Sequence, residues 1–295
     1  MTDAVILMAY GSPDRLEDVP AYYADVRGGR PIAPEHLADL VERYRRLGIE
    51  TRNPLNEITE RTRAALEREL GVPVYTGMRH WRPRIGEAVE RALAGGVRRL
   101  AGLVLAPHYS RLSVGAYRQQ LEAAVAGRAE LCVVERWGTD PGFVSFLAGA
   151  LRGTSAHVVF TAHSLPARVL ADGDPYEDEL LASAGLVAAE AGLERWSFAY
   201  QSASPTGEPW LGPDILEHLD ELHAAGVRDI LACPLGFVSD HLEIRWDLDT
   251  QAREHAERLG VRFGRTPMPN DDARFVRVLA AIVRGATARV EVAAS

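Results

Sequence analysis

The chain reads AVILMAYGSP at residues 4–13 and VVFTAHSLP at residues 158–166, and these two stretches decide the fold. Each is a short apolar run that ends in small residues, a proline and a side chain able to exchange a proton. Continuous apolar runs of this length are typical of strands buried in a parallel sheet. Their recurrence in both halves predicts two copies of one α/β arrangement.

A second pair of stretches repeats the pattern. Gly-Val-Arg at 96–98 leads to LVLAPH at 103–108, and Gly-Val-Arg at 226–228 leads to LGFVSDHLE at 235–243. Ligands of open α/β sheets bind beyond the carboxyl ends of the strands, so side chains at these four strand ends are expected to face one cleft. They are Tyr10, His108, His163, His241 and Glu243. A single histidine or tyrosine after a strand is usually structural, whereas four such strand ends in a duplicated pattern indicate a functional site.

Segments with helical periodicity separate the apolar runs. They span residues 58–70, 83–94, 141–151, 178–191 and 213–225. The alternation of strand and helix predicts an α/β fold of two Rossmann-like domains, each a parallel sheet flanked by helices, with a cleft between them. We place the domains at residues 1–145 and 146–295 and expect the last helical stretch, 272–283, to pack back on the first domain.

Composition narrows the classes of partner. The chain has 295 residues, 47% of them hydrophobic, and a formal net charge of −8 without a block of basic residues, which argues against a nucleic-acid surface. The sequence has no signal-like start and no run of about 18 apolar residues, so we expect a cytoplasmic protein without membrane insertion. Two cysteines, Cys132 and Cys233, are too few for an iron–sulfur cluster held by four thiolates.

One segment, residues 12–56, interrupts the alternation of strand and helix; we call it the excursion. It concentrates cations and aromatic rings: Arg15, Arg27, Arg30, Arg43, Arg45, Arg46, Arg52, Tyr22, Tyr23 and Tyr44. This mixture suits a flat aromatic anion that is held by its carboxylates. The alternative is a solvated helical hairpin with ordinary surface arginines, because exposed charges contribute little to binding or stability.

The motifs of several enzyme classes are missing from the sequence. No Gly-x-Gly-x-x-Gly follows a strand, and neither a Gly-x-x-x-x-Gly-Lys-Ser/Thr loop nor a Gly-x-Ser-x-Gly elbow occurs. Dinucleotide, nucleotide and serine-hydrolase chemistry therefore lose their main support. One histidine with one carboxylate is a poor permanent metal cage, but the pair can pass on a divalent ion and accept protons. We therefore expect no permanently bound cofactor.

Five motifs together resemble those of the ferrochelatases in order and spacing. They lie at residues 8–13, 105–110, 162–166, 201–213 and 236–243, so the resemblance covers nearly the whole chain. It implies a chelatase-type fold and the insertion of Fe²⁺, as a substrate, into a porphyrin during haem biosynthesis. Tyr10 and the short polar segment 31–40 are most similar to the soluble bacterial enzymes that act on coproporphyrin III. This implies Fe-coproporphyrin III (coproheme) as the product, and transient contacts with enzymes that supply the porphyrin or take up the product.

The resemblance also implies roles for single residues. His163 and Glu243 match the family's catalytic pair, which handles the metal ion on one face of the porphyrin. Tyr10 matches the phenolate that ligates the iron of bound Fe-coproporphyrin from the opposite face. The substrate-binding positions of the family match Tyr10, Arg27, Arg43, Tyr44, Asn53, Tyr117 and His80.

Two positions depart from the family pattern. Asn53 lies, with Thr51, in a loop where a propionate-binding serine is expected. Gln251 stands where an outer-sphere glutamate often follows Asp247 by one helical turn. These departures leave open one propionate contact and any accessory site for a hydrated metal ion.

Three functions stay open on the sequence alone. The first is Fe²⁺ insertion into coproporphyrin III, the second is metal insertion into protoporphyrin IX or another tetrapyrrole, and the third is non-catalytic haem binding on the same scaffold. A chelatase for sirohydrochlorins is expected to use paired histidines, whereas this chain pairs His163 with Glu243 and adds Tyr10. A haem carrier needs an axial ligand but no base, so Glu243 would be dispensable in such a protein.

Overall fold

Two four-stranded parallel sheets form the framework of the protein. The computed structural model describes residues 2–49, 54–204 and 206–294. The strands of the first sheet are Ala4–Ala9 (β1), Val74–Met78 (β2), Arg99–Val104 (β3) and Glu130–Val134 (β4), in the order β2-β1-β3-β4. Those of the second are His157–His163 (β5), Trp196–Gln201 (β6), Asp229–Cys233 (β7) and Arg262–Arg265 (β8), in the order β6-β5-β7-β8. The two halves share one topology, and the predicted α/β class with two parallel sheets is confirmed.

Helices connect the strands and cover the sheets. They are Val19–Val26 (α1), Pro34–Arg46 (α2), Pro54–Leu70 (α3), Ile85–Ala94 (α4), Val114–Val125 (α5), Pro141–Leu151 (α6), Arg168–Ala171 (α7), Tyr176–Ala191 (α8), Ile215–Ala224 (α9), Arg253–Leu259 (α10) and Ala273–Ala294 (α11). Strand β1 shows why its sequence is apolar throughout. Val5 and Leu7 belong to one core cluster and Ile6 and Met8 to another, because successive side chains point to opposite faces and both faces are buried.

The two halves share a single large core cluster. It contains Leu7 of β1 and Phe160 of β5, both fully buried. Helix α11 packs against α3 and β4 of the first half, and Arg61 of α3 pairs with Asp271 just before α11. Helix α6 runs across the predicted boundary at residues 145 and 146 and packs against α8, so the two domain ranges stay a prediction.

The described part of the excursion includes α1, α2 and the first turn of α3. Helices α1 and α2 share a small apolar cluster around Val19 and Tyr44 that is separate from the large cores. The guanidinium groups of Arg43 and Arg46 lie 5.3 and 4.8 Å from the ring centroid of Trp246, which belongs to the second half. The excursion therefore reaches from the first half across to the second.

The residues that follow β7 form a feature that the sequence pattern does not indicate. Ile244–Ala252 is a π-helix that continues directly into α10, and it begins one residue after Glu243. π-Helical segments are rare in proteins, and those that occur often lie at functional sites. Within the described part of the chain, no helix combines the length and the apolar character needed to cross a membrane.

Candidate active site

A cleft of about 390 Å³ opens at the carboxyl ends of the strands, between the two halves. The excursion and the loops after β1, β2 and β3 supply one wall, and the loops after β5 and β7 supply the other. Eight of the predicted site residues line it: Tyr10, Tyr44, His80, His108, Tyr117, His163, His241 and Glu243. The common topology of the halves explains this meeting, because their strand ends face the same space.

His163 and Glu243 lie together on the wall formed by the second half. His163 is the last residue of β5, and its Nε2 is 3.5 Å from Oε1 of Glu243. The other carboxylate oxygen of Glu243 is 3.4 Å from Nε2 of His241. In both histidines Nδ1 contacts a backbone carbonyl, that of Ser164 or Ser239, and so carries a proton. The Nε2 atoms of both histidines therefore face the carboxylate of Glu243.

This pair has mutually perturbed acidities. Burial opposes the charged form of His163, but the charge and hydrogen bonding of Glu243 outweigh it and raise the pKa of His163 to about 9. Burial likewise opposes the charge on Glu243, yet His163 and His241 hold its pKa well below the usual range. A protonated imidazole therefore faces an ionised carboxylate when no metal ion is present. An arriving divalent ion must displace the proton of His163 to bind both side chains.

Asp247 lies in the π-helix one turn beyond Glu243 and is 8% exposed. Burial and the charge of Glu243 raise the pKa of Asp247 to about 6. Its Oδ2 accepts hydrogen bonds from the hydroxyl of Ser202 and, at 3.3 Å, from Nε2 of Gln201. Gln251 lies four residues farther along the same helix. The effect of its uncharged side chain on an accessory site for a hydrated metal ion stays a prediction.

Tyr10 stands on the opposite wall, directly after β1. Its side chain is exposed into the cleft, and its ring centroid is 4.6 Å from that of His80. Asp25 accepts from Nδ1 of His80 at 2.8 Å, but desolvation outweighs this contact and lowers the pKa of His80. Gly11 follows Tyr10 with φ of +84°, and a Cβ there would lie 2.6 Å from Cβ of Trp81. Glycine at this position lets the chain turn sharply behind the phenol.

The other residues expected to bind the substrate do not share one location. Tyr44 is buried beside Ser12, 3.1 Å between hydroxyl oxygens, and Tyr117 is also buried in the cleft wall. Arg43 instead pairs with Asp39 at 2.7 Å and stacks on Trp246. Among the described residues, neither Arg43 nor Arg27 is part of the cleft wall, and their substrate-binding roles stay predictions. Asn53 lies outside the described residues.

Arg79 is a cleft residue that the sequence reasoning missed. It follows β2 directly, and its guanidinium lies 5.4 Å from the ring centroid of Tyr117. One of its nitrogens donates to the carbonyls of Leu112 and Ser113 at 3.1 and 3.4 Å, while the buried Nε has no partner among the described residues. The signal was available, since Arg79 and His80 follow an apolar run, as Tyr10 and His163 do.

The geometry agrees with a match between residues 2–287 and the family model described as Ferrochelatase. The chain belongs to the ferrochelatase family. Its relatives include the ferrochelatase of Herpetosiphon aurantiacus, 42% identical over 96% of this chain and 98% of the relative. The coproporphyrin III ferrochelatase of Oceanobacillus iheyensis is 37% identical over 95% of both chains. The resemblance stated from the five sequence motifs is thereby confirmed.

Solved structures place the fold among the chelatases. SirB from Bacillus subtilis with Fe³⁺ has a TM-score of 0.63 and 12% identity and covers 99% of this chain and 98% of its own. The structure of CbiX, described as the terminal enzyme for siroheme biosynthesis in denitrifying bacteria, has a TM-score of 0.53 and 14% identity, with 97% and 99% covered. At these identities the likeness shows the fold alone. The predicted chelatase-type architecture is confirmed, and the protein is an enzyme of the family that inserts a metal ion into a porphyrin.

Proposed function

We propose that the protein inserts Fe²⁺ into coproporphyrin III and forms Fe-coproporphyrin III. The observation that carries the choice of porphyrin is Arg79, a cation in the cleft wall whose Nε has no partner among the described residues. Charge-assisted bonds to carboxylates are the strongest that a guanidinium makes. Coproporphyrin III offers four propionates where protoporphyrin IX offers two and replaces the others with apolar vinyl groups.

The two walls supply different parts of the reaction. Insertion replaces two pyrrole N–H protons by Fe²⁺, so the site must deliver the ion and take up two protons. Glu243 binds the arriving ion first, and the ion displaces the proton of His163 to solvent. The neutral His163 then shares the ion. As the ion passes into the ring, His163 accepts one pyrrole proton, and the carboxylate of Glu243, which the ion has left, takes the other and passes it to solvent. Tyr10, on the opposite wall, ligates the iron of the product.

The cleft walls also act on the shape of the substrate. A bent macrocycle presents its nitrogen lone pairs earlier than a flat one, and propionate contacts supply binding energy for the bending. Tyr117 and Tyr44 are buried in the wall of the first half and offer flat surfaces against which the ring can pack. These rigid elements keep the porphyrin in place while the metal ion approaches from His163 and Glu243.

The proposal includes the cellular setting. Fe²⁺ is a substrate rather than a resident cofactor, since His163 and Glu243 suit transient binding. No other permanently bound group is required by the chemistry of the cleft. We place the reaction in haem biosynthesis in the cytoplasm, with transient contacts to the enzymes that deliver coproporphyrin III and consume the product.

Protoporphyrin IX is the second candidate substrate, and a specific feature favours it. Much of the cleft wall is aliphatic, including Val26, Leu40, Leu105 and Leu165, and such side chains suit vinyl groups. A direct comparison of the two porphyrins therefore decides between them.

The test is anaerobic incubation with Fe²⁺ and each porphyrin, with metalloporphyrin absorbance as the readout. Arg79→Gln should lower kcat/KM for coproporphyrin III by about tenfold or more, and less for protoporphyrin IX, because one charge-assisted contact is worth roughly 1.5–3 kcal/mol. Raised salt should reduce the difference in kcat/KM between the two porphyrins, because it screens the charges of the propionates and of Arg79. The matched control is Arg82→Gln, since Arg82 is 75% exposed and pairs with Glu87 outside the cleft.

Two further results bear on the proposal. His163→Ala should abolish metal insertion, whereas the affinity for the porphyrin should stay within about tenfold of the wild-type value, because the protein's contacts with the propionates remain. Equal loss of affinity and rate would contradict the assigned role of His163. If the wild type metallates protoporphyrin IX in dilute detergent as well as or better than coproporphyrin III, the choice of coproporphyrin is wrong and the chelatase activity stands.

A further inference from the structure

Asn270 occupies a backbone conformation that few side chains tolerate. Its φ is +48°, in the left-handed region where asparagine is among the few acceptable residues other than glycine. Its amide forms a reciprocal pair with Asp240: Nδ2 donates to Oδ2 of Asp240 and Oδ1 accepts from the backbone N–H of Asp240, both at 2.8 Å. The backbone N–H of Asn270 donates to the carbonyl of Val238 at 2.8 Å. Three hydrogen bonds thus tie Asn270 to the loop after β7.

Arg265 holds the same loop from the other side. It donates from Nη2 to Oδ1 of Asp240 at 2.8 Å, and it binds both carboxylate oxygens of Asp249 at 2.7 and 2.8 Å. Its side chain is 15% exposed, so water competes little with these bonds. Asp249 belongs to the π-helix, and a single guanidinium therefore connects the loop to that helix.

Glu243 lies between these two attachment points. Asp240 precedes it by three residues and Asp249 follows it by six, and His241 contacts its carboxylate at 3.4 Å. Neither Asn270 nor Arg265 is part of the cleft wall. Any influence that they have on the metal ion must therefore pass through the position of Glu243 and His241.

The same node reaches the first half of the molecule. The hydroxyl of Thr62 on α3 donates to the carbonyl of Asn270 at 3.4 Å. The next residue, Asp271, accepts two bonds from Arg61 of α3 at 2.8 and 3.1 Å. Thr59, one turn earlier on α3, lines the cleft. Asn270 therefore stands where the wall that holds the porphyrin meets the loop that carries Glu243.

We infer that Asn270 is a positioning residue for metal insertion, which sets the distance of Glu243 from the porphyrin-holding wall through its reciprocal pair with Asp240. The inference rests on the proposed function, in which Glu243 handles the metal ion. A displacement of a reacting group by about 1 Å can cost on the order of a hundredfold in rate. Loss of the pair should therefore lower kcat far more than it raises KM for the porphyrin.

The primary variant is Asn270→Gly, which accepts the positive φ without strain and removes only the side-chain amide. We expect kcat for iron insertion to fall about tenfold or more, with KM for the porphyrin within about threefold, because the residue acts on the transition state alone. Ala126→Gly is the backbone control, since Ala126 also has φ of +48° and lies at the end of α5 outside the cleft wall.

A swap of donor and acceptor separates positioning from general stability. Asn270→Asp faces Asp240 with a second carboxylate and should lower kcat at least as much as Asn270→Gly. The double variant Asp240→Asn with Asn270→Asp exchanges the two roles, keeps an oxygen for Arg265, and should recover most of the lost kcat. Amide hydrogen exchange in residues 238–244 should rise in Asn270→Gly and return towards the wild-type rate in the double variant.

The outcomes are distinguishable. Wild-type insertion with unchanged kcat in Asn270→Gly overturns the inference and leaves the proposed function standing. An equal fall in both single variants without recovery in the double variant, accompanied by a lower Tm, also overturns it, because the role is then structural. Absence of iron insertion by the wild type overturns the proposed function itself, and the positioning role falls with it.

Discussion

One buried histidine, His108, should account for a large part of the stability that the protein loses at low pH. It lies after β3, is 3% exposed, and its Nε2 is 2.9 Å from the hydroxyl oxygen of Ser183 on α8. Its Nδ1 is buried without a partner among the described residues. Gly138 packs against the ring so closely that a Cβ there would lie 2.3 Å from Nε2. Burial with this incomplete pairing lowers the pKa of His108 to about 3.

The magnitude follows from the two pKa values. In the unfolded chain the imidazole titrates near its ordinary value of 6.5, so between pH 6.5 and 3 the unfolded state binds a proton that the folded state does not. The free energy of unfolding therefore falls as the pH falls through this window. At pH 5 the loss is about 2 kcal/mol, and it approaches about 5 kcal/mol near pH 3.

Urea unfolding at pH 7.5 and pH 5, followed by tryptophan fluorescence, measures this term. His108→Gln keeps an amide that can bond to Ser183 and cannot be protonated, so its loss of stability between the two pH values should be about 2 kcal/mol smaller than that of the wild type. His36→Gln, at an exposed position on α2, is the control and should follow the wild type. Equal pH dependence in His108→Gln and wild type would refute the argument that buried His108 stays neutral.

Two further predictions concern the surroundings of His163 and Glu243. Asp247→Asn keeps the acceptor for Ser202 and Gln201 and removes a charge whose pKa is raised from 3.8 to about 6. The wild type loses stability as the pH rises through about 6. The free energy of unfolding of the variant should therefore exceed that of the wild type by up to about 3 kcal/mol at pH 8 and equal it near pH 4. A difference in urea unfolding that is the same at both pH values would contradict this prediction. Gly236→Ala places a Cβ 2.6 and 2.9 Å from Cβ and Cα of Ala162 and should cost about 1–3 kcal/mol in thermal unfolding, whereas Gly264→Ala, with nothing within 4 Å, should not.

Much of the fold could be predicted because its signals are local. The apolar runs at β1, β3, β5 and β7 and the periodic segments between them give strands and helices without reference to distant residues. Helix α6 spans the range predicted for it, and α8 differs by two residues at its start. The sequence pattern also predicted that His163 and Glu243 share one cleft, because parallel strands in a common topology open towards the same side. Both line the cleft, although Glu243 lies in the loop after β7 rather than at the end of the strand.

Other features depend on contacts between residues far apart in the chain. The contacts of Arg43 with Asp39 and Trp246 could not be predicted from the sequence, and its predicted role in substrate binding stays a prediction. The π-helix after Glu243 has no local signature that distinguishes it from an ordinary helix. The sequence places Arg79 after an apolar run, but its contact with the ring of Tyr117 comes from packing between distant residues.

Within each half, the sequence alone indicates which runs are buried strands, which segments are helices, and which protonatable side chains end a strand. It also determined the family, through five motifs spread over the chain. Tertiary packing sets the distances on which the chemistry depends, such as the 3.5 Å between His163 and Glu243 and the pairing of Asn270 with Asp240. Periodicity and turn residues are properties of neighbours along the chain, whereas acidity and positioning arise from groups that packing brings together.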